Sequence, residues 1–558
     1  MIKSNNPQLP WQHVYDELKV VVPSLECGPL AGYVDDYASS NPDAPALQYF
    51  DRCITYIELN CEANRLANAL VSLGVSKDDV VGMHLVNIPQ YVIALVAVSK
   101  IGCAGSGVSP LMSPNELAYQ VEDAGISVLL SLDDLIETSL SRLSDTPSCL
   151  MHVISCSATD YLQAQPSDAK QLSGVQCHNY LNLLEGFSED FAQRPVTDDD
   201  TMMVQYTGGT TGRPKGAELT VLNLMYNPLQ HGAYQPWVQG KELVVTGFPL
   251  FHAAGLAFAI ASLRFGGHFV LIPNPRDVEF ICAQMQTHPP TRLGAVPSLY
   301  QLLISCPDIH DVDFSSLKIA NTGAAPLSSD DRGKIEAIIG EGKISDMFGM
   351  TETGPVHVSN PPGRSNSAAV GIPVPGAETR IVDIETGMKE MSVGEAGEII
   401  TSGPHVMKGY LNLPDESANA LRQWHGKTWM YTGDIGYMDE EGYIYLCDRA
   451  KDMLIVGGYK VFSVEVEDKL QSMPLVVMSA LIGVPDEKRP GNDVVHLYVE
   501  LSSVAAEYEP DEIKTRIIDF CRDNMAPYKV PKAIHIVEKI PLTAVGKIDK
   551  KSLRAKKE

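Results

Sequence analysis

Apolar positions along the chain recur with two alternating periods. In "IELNCEANRLANALVSLGV", Leu59, Ala63, Leu66 and Leu70 fall on one helical face. The next stretch, "DDVVGMHLV", is a short apolar run of the kind a buried strand shows. "PQYVIALVAVSKIG" predicts a helix ending at Gly102, and "NELAYQVEDAG" predicts a helix leading into the strand "ISVLLSL". The same order returns in "KELVVTGFPL", in a helix from Gly255 to Arg264, and in "GGHFVLI". Such alternation predicts α/β layers around largely parallel sheet. Residues Met151 to Arg194 are more polar and less regular, and are expected on the surface. After Arg449 the texture changes. "EVEDKLQSM", "VVMSALIGVP", "DVVHLYVEL", "PDEIKTRIIDFCRDNM" and "KAIHIVEKIP" form a compact series of their own, of about a hundred residues, a plausible small domain.

At 558 residues the chain exceeds what one core supports, so two or more domains are expected. With 44% hydrophobic and 20% charged residues it reads as an ordinary globular protein. A formal charge of −26 argues against nucleic acid as a partner, which would require basic stripes. It does not exclude small anionic ligands, since lysines and arginines can be placed locally. The eleven cysteines are scattered, with no metal-ligand spacing, which suits reduced thiols in a cytosol. The N-terminal stretch has no apolar core followed by a cleavage site, and the most apolar runs are interrupted by Lys100 and Arg264. A cytoplasmic protein without a transmembrane segment is therefore expected, with peripheral membrane contact left open.

The strongest local signal is "VQYTGGTTGRPKGAELT", Val204 to Thr220. Glycines permit close backbone approach, hydroxyls can meet oxygens, and Arg213 and Lys215 bring charge, so the stretch reads as phosphate-binding. It is not a Walker A loop, because five residues on from Gly208 stands Arg213, out of register for Gly-Lys-Ser/Thr. Four further stretches matter. "DMFGMTETGP" sets Thr351 beside Glu352 in a Gly-bounded turn, and "NTGAAPLS" is a loop of small residues. "WMYTGDIGYMDEEGYIYLCDRAKDMLIVGGYKVFSVEVE" contains Asp434 in a T-G-D turn, Arg449, and the Gly457-Gly458 pair. "PLTAVGKIDKKSLR" presents Lys547 beside Gly546. Each alone is a weak signal, and a T-G-D turn or a glycine before a lysine is more often a surface turn.

In this order and at these separations, the motifs resemble the adenylate-forming superfamily of acyl- and aryl-CoA synthetases, amino-acid adenylation domains and firefly-type luciferases. The resemblance runs from "NRLANALVSLGV" to "KKSLR". Within it, "PLFHAAGL", "GIPVPGAE", "GPHVMKGYLNLPDES" and "DRAKDMLIVGGYKVF" are most similar to bacterial long-chain fatty-acyl-CoA synthetases. The implied fold is α/β: a large N-terminal domain of layered α/β subdomains (1–449), a hinge (450–452) and a small mobile α+β C-terminal domain (453–558). The implied reaction joins a carboxylic acid to coenzyme A with ATP and Mg²⁺, through an acyl-adenylate.

The resemblance also implies roles. Thr207, Gly208, Gly209, Thr210, Thr211 and Gly212 would form an anion-binding nest around the β- and γ-phosphates, with Lys215 adding charge. Thr351 would donate to the α-phosphate and Glu352 would ligate Mg²⁺. Gly323, Ala324 and Ala325 would line the adenine slot, with Phe348 and Gly349 beside it. Asp434 would accept from the ribose hydroxyls, next to Arg449. Lys547 would bridge the incoming carboxylate and the α-phosphate, which otherwise repel. The C-terminal domain would then turn about Lys451, withdrawing Lys547 and presenting Gly457 and Gly458 to pantetheine. Lys460 reads either as a phosphate or acyl-adenylate contact or as a solvated lysine. His252 reads either as a gate of the pantetheine channel or as a structural histidine.

The chain departs from the family pattern at Phe348, where a tyrosine is usual, at Asn321, where Ser or Gly is common, and at Ser463, where proline is usual. None removes a charge or donor central to the reaction. An amino-acid adenylation domain should carry an aspartate near "FPLFHAAG", and Phe251, His252 and Ala253 include no acid. A non-catalytic nucleotide-binding protein on the same fold would be expected to have lost Lys547, Glu352 or the Thr/Gly loop, and all are present. A medium- or long-chain fatty acid is the favoured substrate, with an aryl, alicyclic or sterol side-chain acid as the alternative. Monomer and homodimer both remain open.

Overall fold

A computed structural model describes residues 9–143, 145–162, 170–207, 213–325, 327–457, 459–486, 489, 492–542 and 548–555. The described residues divide into two compact units. One comprises 9–207, 213–378 and 401–430, and the other 379–400 and 431–555.

The helices and strands that the hydrophobic periods predict form as expected in the first unit. Tyr56–Ser72 is a helix opened by a reciprocal capping box between Thr55 and Glu58, and Leu59, Ala63, Leu66 and Leu70 are fully buried. Val80–His84, Pro89–Ile101, Pro114–Ala124 and Ile126–Leu132 follow as strand, helix, helix and strand. The helix Pro89–Ile101 is buried along its whole length, which explains its apolar run.

Two sheets carry this unit. An eight-stranded sheet places Thr201–Thr207 between the parallel strand Ala104–Gly107 and the antiparallel strand Lys215–Thr220, with the short strand Gly409–Tyr410 at its edge. A nine-stranded sheet runs parallel through Leu243–Thr246, Arg292–Ala295, Ile319–Gly323 and Ile344–Gly349, then turns antiparallel into Val356–Ser359.

One expectation is corrected. The stretch from Met151 to Arg194 supplies two parallel strands, His152–Cys156 and Gln176–Asn179, to the eight-stranded sheet, and Val153 to Cys156 are buried. His152, Ser155, Gln176, His178 and Asn179 leave no continuous apolar run, and the polar connection around them masks the signal.

The second unit holds a sheet built from 379–382, 397–400, 431–438 and 444–449, and the hairpin Leu454–Val456 with Tyr459–Val461. Its last part is a three-stranded sheet of Val476–Pro485, Asp493–Leu501 and Ala533–Val537, backed by the helices Ser463–Gln471 and Pro510–Asn524.

The parallel part of the nine-stranded sheet is pinned at its N-terminal edge by one buried carboxylate. Glu242, fully buried, pairs with the buried Arg292 at 3.2 Å and with Lys318 at 2.7 Å, and accepts from the Thr291 hydroxyl and the Val238 amide. These donors and cations hold its carboxyl below the ordinary range although burial acts in the opposite sense. Glu242→Ala would leave the Arg292 guanidinium buried without its counter-charge. The expected loss is about 3–5 kcal/mol, read as a lower urea midpoint with an unchanged slope. A midpoint like that of the parent chain would show that the cluster is not what secures this edge.

Candidate active site

Open parallel sheets bind ligands beyond the carboxyl ends of their strands, and the motif residues of the first unit emerge there. Beyond Leu243–Thr246 the chain reaches His252, which is half-buried and caps the helix Ala253–Arg264, its Nδ1 accepting from the Ala254 amide at 3.3 Å. Ile319–Gly323 ends at Gly323 and is followed by Ala324 and Ala325, and Ile344–Gly349 ends in Phe348 and Gly349, with Gly323 in register with Met347. Asn321, Thr322 and Gly323 thus belong to a strand rather than to the loop expected from "NTGAAPLS", which begins at Ala324. The glycines are required by close packing. A β-carbon at Gly349 would stand 1.9 Å from the Pro355 carbonyl oxygen, and one at Gly323 would stand 2.7 Å from that of Met347. Ala324 is left-handed, at φ 69°, a strained conformation for a residue with a β-carbon.

Thr351 and Glu352 lie in a single turn of 3₁₀ helix, Thr351–Thr353. The Thr353 hydroxyl donates to the carbonyls of Met350 and Pro355, fixing the turn. Glu352 is buried, and its carboxylate oxygen accepts from the Tyr410 hydroxyl at 2.7 Å. Its backbone carbonyl accepts from the Met407 amide at 2.9 Å. Burial and the Glu352 carboxylate push the Tyr410 phenol far above its ordinary range, so it stays a donor. Lys215, which stands opposite Thr207 in the hairpin, lies 4.7 Å above the Tyr410 ring and pairs with Glu416 at 2.7 Å. Thr207, Lys215, Thr351 and Glu352 are thereby tied to one framework. Gly208, Gly209, Thr210, Thr211 and Gly212 lie outside the described residues, as do Gly458 and Lys547.

Tyr410 was not singled out from the sequence, because a tyrosine in a short edge strand carries no motif chemistry. Two histidines also join the site unannounced. His357 lies 5.1 Å from the Phe348 ring and stacks on His405 at 6.3 Å, with His405 bonded to the Thr401 hydroxyl.

The second unit gathers its own motif residues. Asp434 and Arg449 stand opposite each other on paired strands, joined by an ion pair of 2.8 Å. Asp434 is not in a turn. Thr432, Gly433 and Asp434 lie within the strand Lys427–Met438, where Gly433, at φ 71°, distorts the strand without ending it. The residues of a turn and of a strand distortion are alike, which is why the sequence misleads here. Lys451 keeps exposed surface, yet its ammonium is pulled down to about 8, first by partial desolvation and then by Arg449. Gly457, at φ 62°, turns the hairpin that carries Lys460, and its amide donates to Asn492. Lys550 pairs with Glu467 at 2.7 Å and donates to Ser463, whose amide donates to Asp448.

A family model described as "AMP-binding enzyme" matches residues 34–411, and "AMP-binding enzyme C-terminal domain" matches residues 465–547. The chain belongs to the AMP-binding enzyme family. It is 34% identical to a long-chain-fatty-acid–CoA ligase of Bacillus subtilis (strain 168), over 94% of each chain. Among solved structures, ATP-bound MatB from Rhodopseudomonas palustris superposes with a TM-score of 0.81 at 27% identity, covering 95% of this chain and 99% of that one. An anthranilate CoA ligase in complex with anthranoyl-AMP gives 0.80 at 26% identity, covering 95% and 97%. The fold expected of an adenylate-forming enzyme, with a large N-terminal and a smaller C-terminal part, is therefore the one observed.

Desolvated imidazoles in the first unit make stability depend on pH. Burial lowers His84, His231 and His268 to about 4, and His357 and His405 to about 3. Above the unfolded-state value of about 6.5, folded and unfolded chains are both neutral at these rings and their stability is fully present. As pH falls through that value the unfolded chain takes up protons the folded chain refuses, so stability is lost down to the folded values. The thermal midpoint is expected to fall steeply between pH 7 and pH 4.5. His405→Asn should make that fall shallower, and an identical slope would show that the His357–His405 pair does not titrate as its burial implies.

Proposed function

We propose that this chain is an acid–thiol ligase. It converts a carboxylate and ATP to an acyl-adenylate and pyrophosphate, then transfers the acyl group to the thiol of coenzyme A, releasing AMP. The observation that carries the reading is the similarity to a fatty-acid ligase over 94% of both lengths, combined with Thr207, Lys215, Thr351 and Glu352 meeting in one framework. A medium- or long-chain fatty acid is the substrate that this likeness favours. No helix among the described residues is long and apolar enough to cross a membrane, which suits an enzyme working from the cytoplasm.

In this proposal ATP lies along the carboxyl ends of the nine-stranded sheet. The Thr207–Gly212 loop and Lys215 hold the β- and γ-phosphates, and Gly323, Ala324 and Ala325 face the adenine with Phe348 and Gly349 at its edge. Thr351 donates to an α-phosphate oxygen. Asp434 accepts from the ribose hydroxyls, oriented by Arg449. Lys547 contacts both the incoming carboxylate and the α-phosphate, so that two anions approach without their full repulsion. Turning of the residues beyond Lys451 then removes Lys547 and brings Gly457 and Gly458, with Lys460, toward the thiol substrate, with His252 bordering its path.

Glu352 suits a magnesium ion. The described residues hold no cluster of three or more ligating side chains, and Mg²⁺ commonly takes one carboxylate plus substrate phosphates and water. When bound, the ion neutralises charge on the triphosphate. An aryl acid is the second reading, favoured by the likeness to the anthranilate ligase.

The first test is acid-dependent exchange of labelled pyrophosphate into ATP, without coenzyme A, across fatty acids of increasing length, benzoates and amino acids. Exchange peaking on one fatty chain length is expected. Exchange with benzoates alone would transfer the activity to the second reading, and none with any acid would remove the ligase proposal. Lys547→Ala is expected to lower adenylation by roughly a hundredfold or more and to leave thioester formation from supplied acyl-AMP largely intact. An equal loss in both steps would overturn the assigned rotation.

A further inference from the structure

We infer that Tyr410 is a positioning residue that sets the Glu352 carboxylate for the metal and seats the Lys215 ammonium beside it. The inference rests on the proposed roles of Glu352 and Lys215, and adds a residue that those roles do not include.

Tyr410 is fixed before it touches either group. Its strand, Gly409–Tyr410, pairs with Glu218 and Ala217, and the flanking amides of Lys408 and Leu411 donate to the Glu218 and Gly216 carbonyls at 3.0 and 2.8 Å. The Tyr410 amide donates to the Ser417 hydroxyl at 2.8 Å. With backbone held at both ends and the ring buried, the phenol has little freedom. Its two chemical faces are then used differently. The hydroxyl donates to Glu352 at 2.7 Å, and the ring face lies 4.7 Å from the Lys215 Nζ. One side chain thus meets the carboxylate proposed for the cation and the ammonium proposed for the phosphates. A donor on a ligating carboxylate orients it toward the metal. A ring face holds an ammonium without neutralising it, so the charge remains available to an anion.

The inference separates two parts of one tyrosine, and Tyr410→Phe removes only the first. The measurement is calorimetric binding of ATP to the full chain without any carboxylic acid, so that nothing turns over, in Mg²⁺ and in EDTA. Tyr410→Phe is expected to weaken ATP binding in Mg²⁺ by roughly tenfold and to leave binding in EDTA unchanged, because Lys215 keeps its ring. Glu352→Gln should show a larger loss confined to Mg²⁺. The double variant should be no worse than Glu352→Gln alone, since Tyr410 acts through that carboxylate.

Losses that add in the double variant, or a loss equal in Mg²⁺ and EDTA, would mean that Tyr410 supports the fold and not the metal ligand. Parent-like binding by Tyr410→Phe beside a defective Glu352→Gln would overturn the inference about Tyr410 alone. If Glu352→Gln itself binds ATP normally in Mg²⁺, the reading of Glu352 as the metal ligand fails, and the inference with it.

Discussion

A buried carboxylate has to be satisfied, and how Glu352 is satisfied organises the first unit. Its side chain accepts from Tyr410 and its carbonyl from Met407. Glu352 follows the last parallel strand of the nine-stranded sheet, whereas Tyr410 belongs to the edge of the eight-stranded sheet. The two sheets are therefore joined by hydrogen bonds to one residue at the point where the motif loops emerge. A charged acceptor makes such a bond worth about 1.5–3 kcal/mol. The join thus fixes the distance between the hairpin that carries Lys215 and the turn that carries Thr351 and Glu352.

The opposite edge of the nine-stranded sheet uses the same chemistry for a different end. Glu242 is surrounded by Arg292, Lys318, Thr291 and the Val238 amide, so its charge is spent internally. Near the motif turn Lys215 pairs instead with the partly exposed Glu416. That division answers the problem posed by a net charge of −26 in a chain that binds anions. Overall acidity is tolerable because field strength at the site depends on a few positioned cations and donors, and these are set by strand register.

Long amphipathic segments were legible in the sequence because burial on one face repeats often enough to be read, as in Leu59, Ala63, Leu66 and Leu70. Strands His152–Cys156 and Gln176–Asn179 were not, since their polar residues leave no continuous apolar run to read. Candidate residues stood out where residue types combine in an uncommon way, as at Thr351 and Glu352, which the structure sets in one turn. Tyr410 was not, because its role depends on a pairing between strands about two hundred residues apart, Gly409–Tyr410 with Lys215–Thr220. Gly433 misled because the freedom that allows a turn also allows a distorted strand to continue.

The contacts around Lys215 differ in what they permit. Its ion pair with Glu416 joins partly exposed side chains, and such pairs are worth about 0–1 kcal/mol. In the proposed role of Lys215, an incoming triphosphate carries more charge than a carboxylate, so exchange of Glu416 for phosphate would cost little. The Tyr410–Glu352 bond is buried and has no such competitor from solvent. The framework therefore combines a fixed acceptor with an exchangeable cation. That combination suits a site that must hold a nucleotide in one geometry and release pyrophosphate in each cycle.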